Sequence, residues 1–342
     1  MDLEAAIRRA NELSLLGLGK TSPNPIVGAL ILDSDGNLIA EGFHQRGATG
    51  TPGLHAEIVA LQHAGEKARG ATLVLTLEPC NHQGKTPPCT DAIIAAGISQ
   101  VVFAIDDPNP VASGGAEKLR QAGIEVISGV NRELVVFTNR AWIHKITKSR
   151  PYITAKIAAT LDGFIAATDH TSQWITSEAS RHDVANLRSQ CDAIVTGVGT
   201  VLADDPLLTA RVPGVVDQPV RIVLGEREIP RSAKILGPGA RTHVMKTRNL
   251  EDFIRFCRDE EFNRVLLEAG PTLTRAFLQA SLIDEIYLYQ APAFLGAGKT
   301  MIGDLGITSI DQKLQFELHS VTSIGEGSER NSRIHLLVKA GR

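Results

Sequence analysis

Aromatic side chains are scarce, at 4% of the chain, and neither charge dominates: 35 lysines and arginines face 38 acidic residues, for a net charge of −3. Such a chain has no broad attraction for nucleic acid or an anionic membrane, and no basic stripe interleaved with aromatics runs along it. Local basic clusters can still hold a small phosphate. No apolar run approaches the roughly 20 residues that span a bilayer. The start, Met1-Asp2-Leu3-Glu4-Ala5, lacks the basic-then-apolar layout of a secretion signal. Four cysteines in 342 residues make no disulfide framework, so a reduced, cytoplasmic compartment is expected. There is no internal repeat and no low-complexity tract. Apolar residues, by contrast, make up 43% of the chain, ample for buried cores. The length suits about two domains of roughly 150 residues.

Leu3, Ala6, Ile7, Ala10 and Leu13 form a helical stripe that stops near Gly17 and Gly19. After Thr21-Ser22-Pro23-Asn24-Pro25, the runs Ile26 to Leu32 and Leu38 to Phe43 flank a turn at Asp33 to Asn37. A helix from about His55 to Ala64, a strand at Ala71 to Leu77, a helix from about Pro87 to Ala96 and a strand at Val101 to Ile105 follow. One more helix and strand, Lys118 to Ala122 and Ile124 to Ile127, complete a layered α/β domain. The polar, basic stretch Thr147-Lys148-Ser149-Arg150-Pro151 marks the boundary between residues 1–147 and 148–342. Strands are expected beyond it at Tyr152 to Ala158, Ala193 to Thr196, Val220 to Leu224, Val265 to Glu268 and Glu285 to Gln290. Helices are expected at Ser177 to Arg188, Glu251 to Arg258 and Leu273 to Ala280. Cys191 and Cys257 sit beside buried patterns and read as packing residues.

The most informative constellation is His55-Ala56-Glu57, then Glu78-Pro79-Cys80, then Pro87-Pro88-Cys89. One histidine and two cysteines fill three positions of a tetrahedral zinc site and leave the fourth for water. Zinc lowers the pKa of bound water to roughly 7, and Glu57 would shuttle protons without being a ligand. Residues two apart in mid-helix face different ways, so His55 and Glu57 converge only in a first turn. Thr51-Pro52-Gly53 marks that start, and the prolines before Cys89 mark another. Two helix N-termini then face one strand end, where their positive ends keep thiols deprotonated. A closed structural site would need a fourth ligand, and His82 could supply it.

Eight residues separate Cys80 from Cys89, against the two of the usual deaminase signature. With Pro23-Asn24-Pro25-Ile26-Val27-Gly28-Ala29 and Asp107-Pro108-Asn109-Pro110, these motifs resemble the deaminase half of the bifunctional riboflavin-biosynthesis deaminase/reductase family. The resemblance implies a cytidine-deaminase-like three-layer α/β/α domain binding one zinc ion per chain. It also implies a substrate, 2,5-diamino-6-ribosylamino-4(3H)-pyrimidinone 5′-phosphate, with Asn24, His44, His82 and Lys85 at substrate-contacting positions.

Nothing after residue 150 has a Gly-x-Gly-x-x-Gly turn. Residues 265–268 read as a strand, Ala269-Gly270-Pro271-Thr272 as a tight turn and Leu273 to Ala280 as a helix, a connection able to aim backbone N–H groups at phosphate. Arg150-Pro151-Tyr152, Lys156 to Gly163, Gln173-Trp174-Ile175-Thr176, Asp192 to Thr200, Ala203 to Thr209 and Glu268 to Thr272 resemble the reductase half of the same family. That implies a dihydrofolate-reductase-like α/β domain that uses NADPH to reduce the ribosyl group to ribityl at C1′. By the same resemblance Ala158, Trp174, Thr200, Asp204, Gly270, Pro271, Thr272, Leu273, Thr274, Arg275 and Ala276 fall on cofactor positions. Ser172, Arg188, Leu208, Arg211 and Glu268 fall on substrate positions, and Lys156 and Glu268 would handle charge as the ribose opens.

Thr160 stands where the family more usually has serine, Leu224-Gly225-Glu226 replaces an Asp-Ser/Thr turn, and the polar stretch at 325–332 reads as a surface hairpin loop. The leading expectation is a hydrolase and an oxidoreductase on one chain. It would act on a phosphorylated small molecule as a homo-oligomer, dimer or tetramer, without nucleic acid or membrane. The alternatives are an active deaminase with a non-catalytic ligand-binding second half, a nucleic-acid-editing deaminase, and a purely structural zinc protein.

Overall fold

Residues 1–47, 53–84, 87–215 and 217–339 are described by the computed structural model. They fall into two units, Met1–Ser149 and Arg150–Arg342, each with its own principal sheet.

In chain order the first unit comprises α1 (Leu3–Ser14), β1 (Gly28–Leu32), β2 (Leu38–Phe43), α2 (Ala56–Ala64), β3 (Thr72–Leu77), α3 (Cys89–Ala95), β4 (Gln100–Ile105), α4 (Gly115–Gln121), β5 (Glu125–Ser128), α5 (Arg132–Thr138) and α6 (Arg140–Lys148). Asp2 caps α1 by accepting from the Ala5 N–H, and the helix buries Ala6, Ile7, Ala10 and Leu13. It lies so close to β1 that a Cβ on Gly28 would sit 1.8 Å from the Ala10 carbonyl oxygen, so only glycine fits. The sheet runs β2-β1-β3-β4-β5, antiparallel across β2, β1 and β3 and parallel from β3 to β5. Strands β3 and β4 are buried almost throughout, as parallel strands covered on both faces must be.

Helices α5 and α6 go beyond the pattern read from the sequence, because Asn139 breaks the apolar stripe between them. That asparagine is buried, accepting from the Ile26 N–H and donating to the Ile26 carbonyl.

The second unit comprises β6 (Tyr152–Thr160), β7 (Phe164–Ala166), α7 (Glu178–Ser189), β8 (Ala193–Gly197), α8 (Val198–Asp204), β9 (Val220–Leu224), β10 (Thr242–Met245), α9 (Leu250–Asp259), β11 (Arg264–Leu267), α10 (Pro271–Gln279), β12 (Glu285–Ala291), β13 (Lys299–Thr300), β14 (Phe316–Ile324) and β15 (Asn331–Val338). Eight strands run β10-β9-β8-β11-β6-β12-β15-β14, parallel from β10 to β12, with the hairpin β14–β15 added antiparallel.

Ile153, Ala155, Ile157 and Ala159 alternate onto one face, packed in a core with Phe253 and Phe277 of α9 and α10. On the other face Ile194, Val223 and Leu266 pack with Leu187 of α7 and Val198 and Val201 of α8. Strand β14 escapes sequence reading because Glu317, His319 and Ser320 interrupt its alternation at an exposed sheet edge. The loop expected at 325–332 is shorter than that. Asn331 and Ser332 already belong to β15, and buried Asn331 accepts from the Ser177 N–H and the Ser180 hydroxyl. Cys191 and Cys257 are buried in these cores.

Candidate active sites

In the first unit, His55 is the residue just before α2, with extended backbone (ψ 151°), and Glu57 lies in the first turn. That placement lets two side chains two residues apart point into one space. Cys80 lies beyond the end of β3, and Cys89 opens α3 behind Pro88. His55 Nδ1 is 3.2 Å from Cys89 Sγ and 3.6 Å from Cys80 Sγ, and the three ligand atoms lie within 4.8 Å of one another. Zinc bond lengths of about 2.3 Å to sulfur and about 2.0 Å to nitrogen set tetrahedral ligands roughly 3.5–3.8 Å apart. The donor set and its spacing therefore fit zinc. Among the described residues the cluster holds these three ligands, and His82 is not one of them.

The Cys89 N–H donates to Cys80 Sγ at 3.4 Å, so an N-terminal helix amide supports a thiolate. Hydrogen bonding from Cys89 and His55, working against burial, pushes the Cys80 thiol down to about 4, while Cys89 is raised. Both sulfurs would bind a metal as thiolates, so metal binding here would release protons. Glu57 is 4% exposed, and burial raises its pKa although His55 pulls the other way.

His44 is buried, its ring 5.3 Å from that of His55, and burial then His55 lower its pKa to about 4. It is neutral at pH 7, with Nδ1 bonded to the Pro25 carbonyl at 3.1 Å. Among the described residues, none makes a hydrogen bond to the buried Nδ1 of His82. Asn24 is exposed, its backbone held in a turn with Thr21. Lys85 and the start signal Thr51-Pro52 lie outside the described residues.

Sequence reasoning gave no role to Glu78. It is buried, and its carboxylate accepts from the Ala116 N–H at 2.9 Å and the Asp107 N–H at 3.1 Å. It thereby ties the segment before Cys80 to α4 and to the loop after β4. An acid directly before Pro79-Cys80 was the available signal.

In the second unit, Glu268 stands just beyond β11 and takes a two-pronged grip from Arg188 at the end of α7. Nε–Oε1 is 2.5 Å and Nη2–Oε2 is 2.9 Å. Lys156 Nζ approaches the same carboxylate at 3.9 Å. Burial opposes the charge on Glu268, but Arg188, Lys156 and Arg211 together lower its pKa below 4.5. Burial lowers Lys156 below 10.5, with Glu268 resisting. Arg211 is exposed and adds positive charge beside the pair.

Ser172 donates to Asp204 at 3.1 Å, and the Gly270 N–H donates to Thr200 at 3.2 Å, so residues far apart in sequence meet in pairs. Ala158 is half-buried on β6, and Leu208 is buried with φ +48°. Trp174 is 67% exposed, with the Arg181 guanidinium 4.5 Å from its ring centre, so it is not core.

Helix α10 begins at Gly270 with Pro271 at N1 and no side-chain cap, which leaves the Thr272 and Leu273 amides outside the helix's own bonding. Lys299, which sequence reasoning missed inside a glycine-rich stretch, brings Nζ within 3.6 Å of where a Gly270 Cβ would be. This donor set fits a pyrophosphate, and hence a dinucleotide such as NADPH. Further along α10, Thr274 is buried on the Ala269 carbonyl and Arg275 donates to the Asp304 carbonyl, while Ala276 is half-buried.

Two family models match the chain, "Cytidine and deoxycytidylate deaminase zinc-binding region" over residues 2–105 and "RibD C-terminal domain" over residues 151–328. The riboflavin biosynthesis protein RibD of Mycobacterium tuberculosis is 44% identical, the match covering 94% of this chain and 95% of that protein. A solved RibD structure from Acinetobacter baumannii superposes with a TM-score of 0.87 at 37% identity, over 98% of both chains. A Thermotoga maritima structure, described as a diaminohydroxyphosphoribosylaminopyrimidine deaminase/5-amino-6-(5-phosphoribosylamino)uracil reductase, gives 0.88 at 35% identity, over 98% of this chain and 99% of that one.

Proposed function

The chain belongs to the RibD family of riboflavin biosynthesis proteins, bifunctional deaminase/reductases, and on that premise we propose how its own residues divide the two reactions. Residues 1–147 deaminate 2,5-diamino-6-ribosylamino-4(3H)-pyrimidinone 5′-phosphate, and residues 148–342 reduce the ribosyl group of the product to ribityl. The observation that carries the reading is the cluster of His55, Cys80 and Cys89 with buried Glu57 in the same helical turn as the histidine's end.

His55, Cys80 and Cys89 would hold the zinc. When bound, zinc supplies a water acidic enough to attack at neutral pH. Glu57, a buried carboxyl in the first turn of α2, would act as the acid–base group, holding a proton and passing it to the departing amine. His44, neutral and fixed by the Pro25 carbonyl, offers its free ring nitrogen to the pyrimidine. Asn24, His82 and Lys85 complete the contacts to the ring and its phosphorylated arm.

In the second half NADPH, when bound, would supply the hydride for C1′. Gly270, Thr272 and Leu273 would hold its pyrophosphate at the N-terminus of α10, and Thr200, Asp204, Ala158 and Trp174 would complete its contacts. Pro271 sets that turn; Thr274, Arg275 and Ala276 shape the helix behind it. Arg211 and Arg188 meet the substrate phosphate, as planar guanidinium groups suit, with Ser172 and Leu208 beside the ribose. Lys156 carries a proton for the opening ring, and Glu268 keeps that lysine and Arg188 in place.

None of the four cysteines forms a disulfide, which supports a reducing, cytoplasmic setting. Among the described residues no helix is long and apolar enough to cross a membrane. Leu318 and Val321 are exposed on the sheet-edge strand β14, which supports association with a second copy. Light scattering on the purified chain tests that reading.

The enzyme is tested by supplying the diaminopyrimidine ribotide and following ammonia, then NADPH loss, in one cuvette. Both signals are expected in that order, and a chelator should abolish both. NADPH oxidation that precedes or outpaces ammonia release would overturn the order of steps.

A further inference from the structure

Arg221 is fully buried in β9, and among the described residues no carboxylate pairs with it. In register with it lie Ile194 of β8 and, beyond that strand, Leu266 of β11, both aliphatic and fully buried, and on its other side Thr242 of β10. An aliphatic side chain would continue that row without the cost of burying an isolated charge. The guanidinium instead reaches backbone carbonyls. Nη1 donates to Leu207 at 3.2 Å, Nη2 donates to Gly237 at 2.6 Å and to Ala240, and Nε has no partner among the described residues.

The Leu207 carbonyl belongs to a loop that needs holding. Asp205 and Leu208 both adopt left-handed backbone, φ +40° and +48°, without being glycine, a conformation that persists only where the surroundings impose it. The loop is tied at every second residue or so: Lys234 N–H to the Asp205 carboxylate, Arg221 to Leu207, Arg188 to the Thr209 carbonyl, and Gln218 to both backbone groups of Ala210. Of these ties, only the one from Arg221 comes from inside the sheet. It lies next to Leu208 and ahead of Arg211.

We propose that Arg221 is a positioning residue of the reductase. From within the sheet it fixes the 205–211 loop, with the Leu208 side chain packed in the core, so that exposed Arg211 faces the phosphorylated substrate. The proposal rests on the reading that this loop meets the substrate.

The test compares Arg221→Met, Arg221→Lys and Arg211→Ala, all in the full chain, with deamination as the internal control. Arg221→Met is expected to raise the reductase KM for the deaminated ribotide about tenfold with kcat changed by less than about threefold, while ammonia release is unchanged. Arg221→Lys, which keeps one charged donor, should fall between. In that variant amide exchange should quicken across residues 205–211 while β8, β9 and β11 stay protected.

If Arg211→Ala leaves KM unchanged, the loop is not a substrate loop and the reading beneath the proposal fails. If Arg211→Ala raises KM but folded Arg221→Met stays within about twofold of wild type, the proposal itself fails. Should Arg221→Met not fold, the exchange pattern of Arg221→Lys decides. Faster exchange spread over the whole sheet would make Arg221 a core residue only and overturn the proposal.

Discussion

Arg188 holds Glu268 by two nearly parallel hydrogen bonds, so the carboxylate beyond β11 is fixed by a residue 80 positions earlier in the chain. Glu268 is buried and Arg188 largely so, with side chains 8% and 12% exposed. Removing one strands the other charge. Glu268→Ala is therefore expected to destabilise the second unit by about 3–5 kcal/mol, measured by denaturant unfolding. A cost below about 1 kcal/mol would mean the pair is solvated.

The same pair sets a pH dependence of stability. The Glu268 pKa is lowered in the folded protein, so its contribution is fully present above 4.5 and is lost as pH falls through the folded value. Unfolding midpoints should drop on the acid side more steeply for wild type than for Glu268→Gln. Parallel curves would count against the assignment.

Lys156 sits 3.9 Å from that carboxylate, and burial lowers its pKa below 10.5. Lys156→Ala should slow reduction by about 10²-fold or more while ammonia release continues. In wild type the alkaline limb of reductase kcat/KM should fall below pH 10.5, because the ammonium is lost earlier than in free lysine. Glu268→Gln removes the charge that resists this loss, so the limb should move to still lower pH. A limb moving upward would contradict the pairing.

Gly115 begins α4 so close to the zinc loop that a Cβ there would lie 1.9 Å from the Pro79 carbonyl oxygen. Gly115→Ala must displace Pro79 and, with it, neighbouring Cys80. Overpacking of this kind costs about 1–3 kcal/mol. Zinc affinity, read by competition with a chromophoric chelator, should weaken while NADPH-dependent reduction of deaminated substrate persists. Unchanged affinity would show that the loop absorbs the methyl group.

Much of this was legible from the chain alone, for identifiable reasons. His55, Glu57, Cys80 and Cys89 announce themselves because a metal site needs few residue types in a fixed order. Strand β9 was readable to the residue because Val220–Leu224 is a short apolar run, interrupted by a single arginine, between turn signals. The same run hid Arg221, whose role depends on carbonyls supplied by distant loops. Asn139 and Asn331 are polar residues buried by long-range hydrogen bonds, and each blurred a boundary that periodicity alone could not fix. Glu78 escaped because its partners are backbone N–H groups distant in sequence, and Lys299 because only the fold brings it beside Gly270.

The most direct measurement pairs zinc content with ammonia release in Glu57→Gln. Three ligands that exclude Glu57 should still hold about one zinc per chain, while ammonia release falls by roughly 10²–10⁴-fold. Near-normal ammonia release from a zinc-loaded, folded Glu57→Gln protein would contradict the proton-shuttle role.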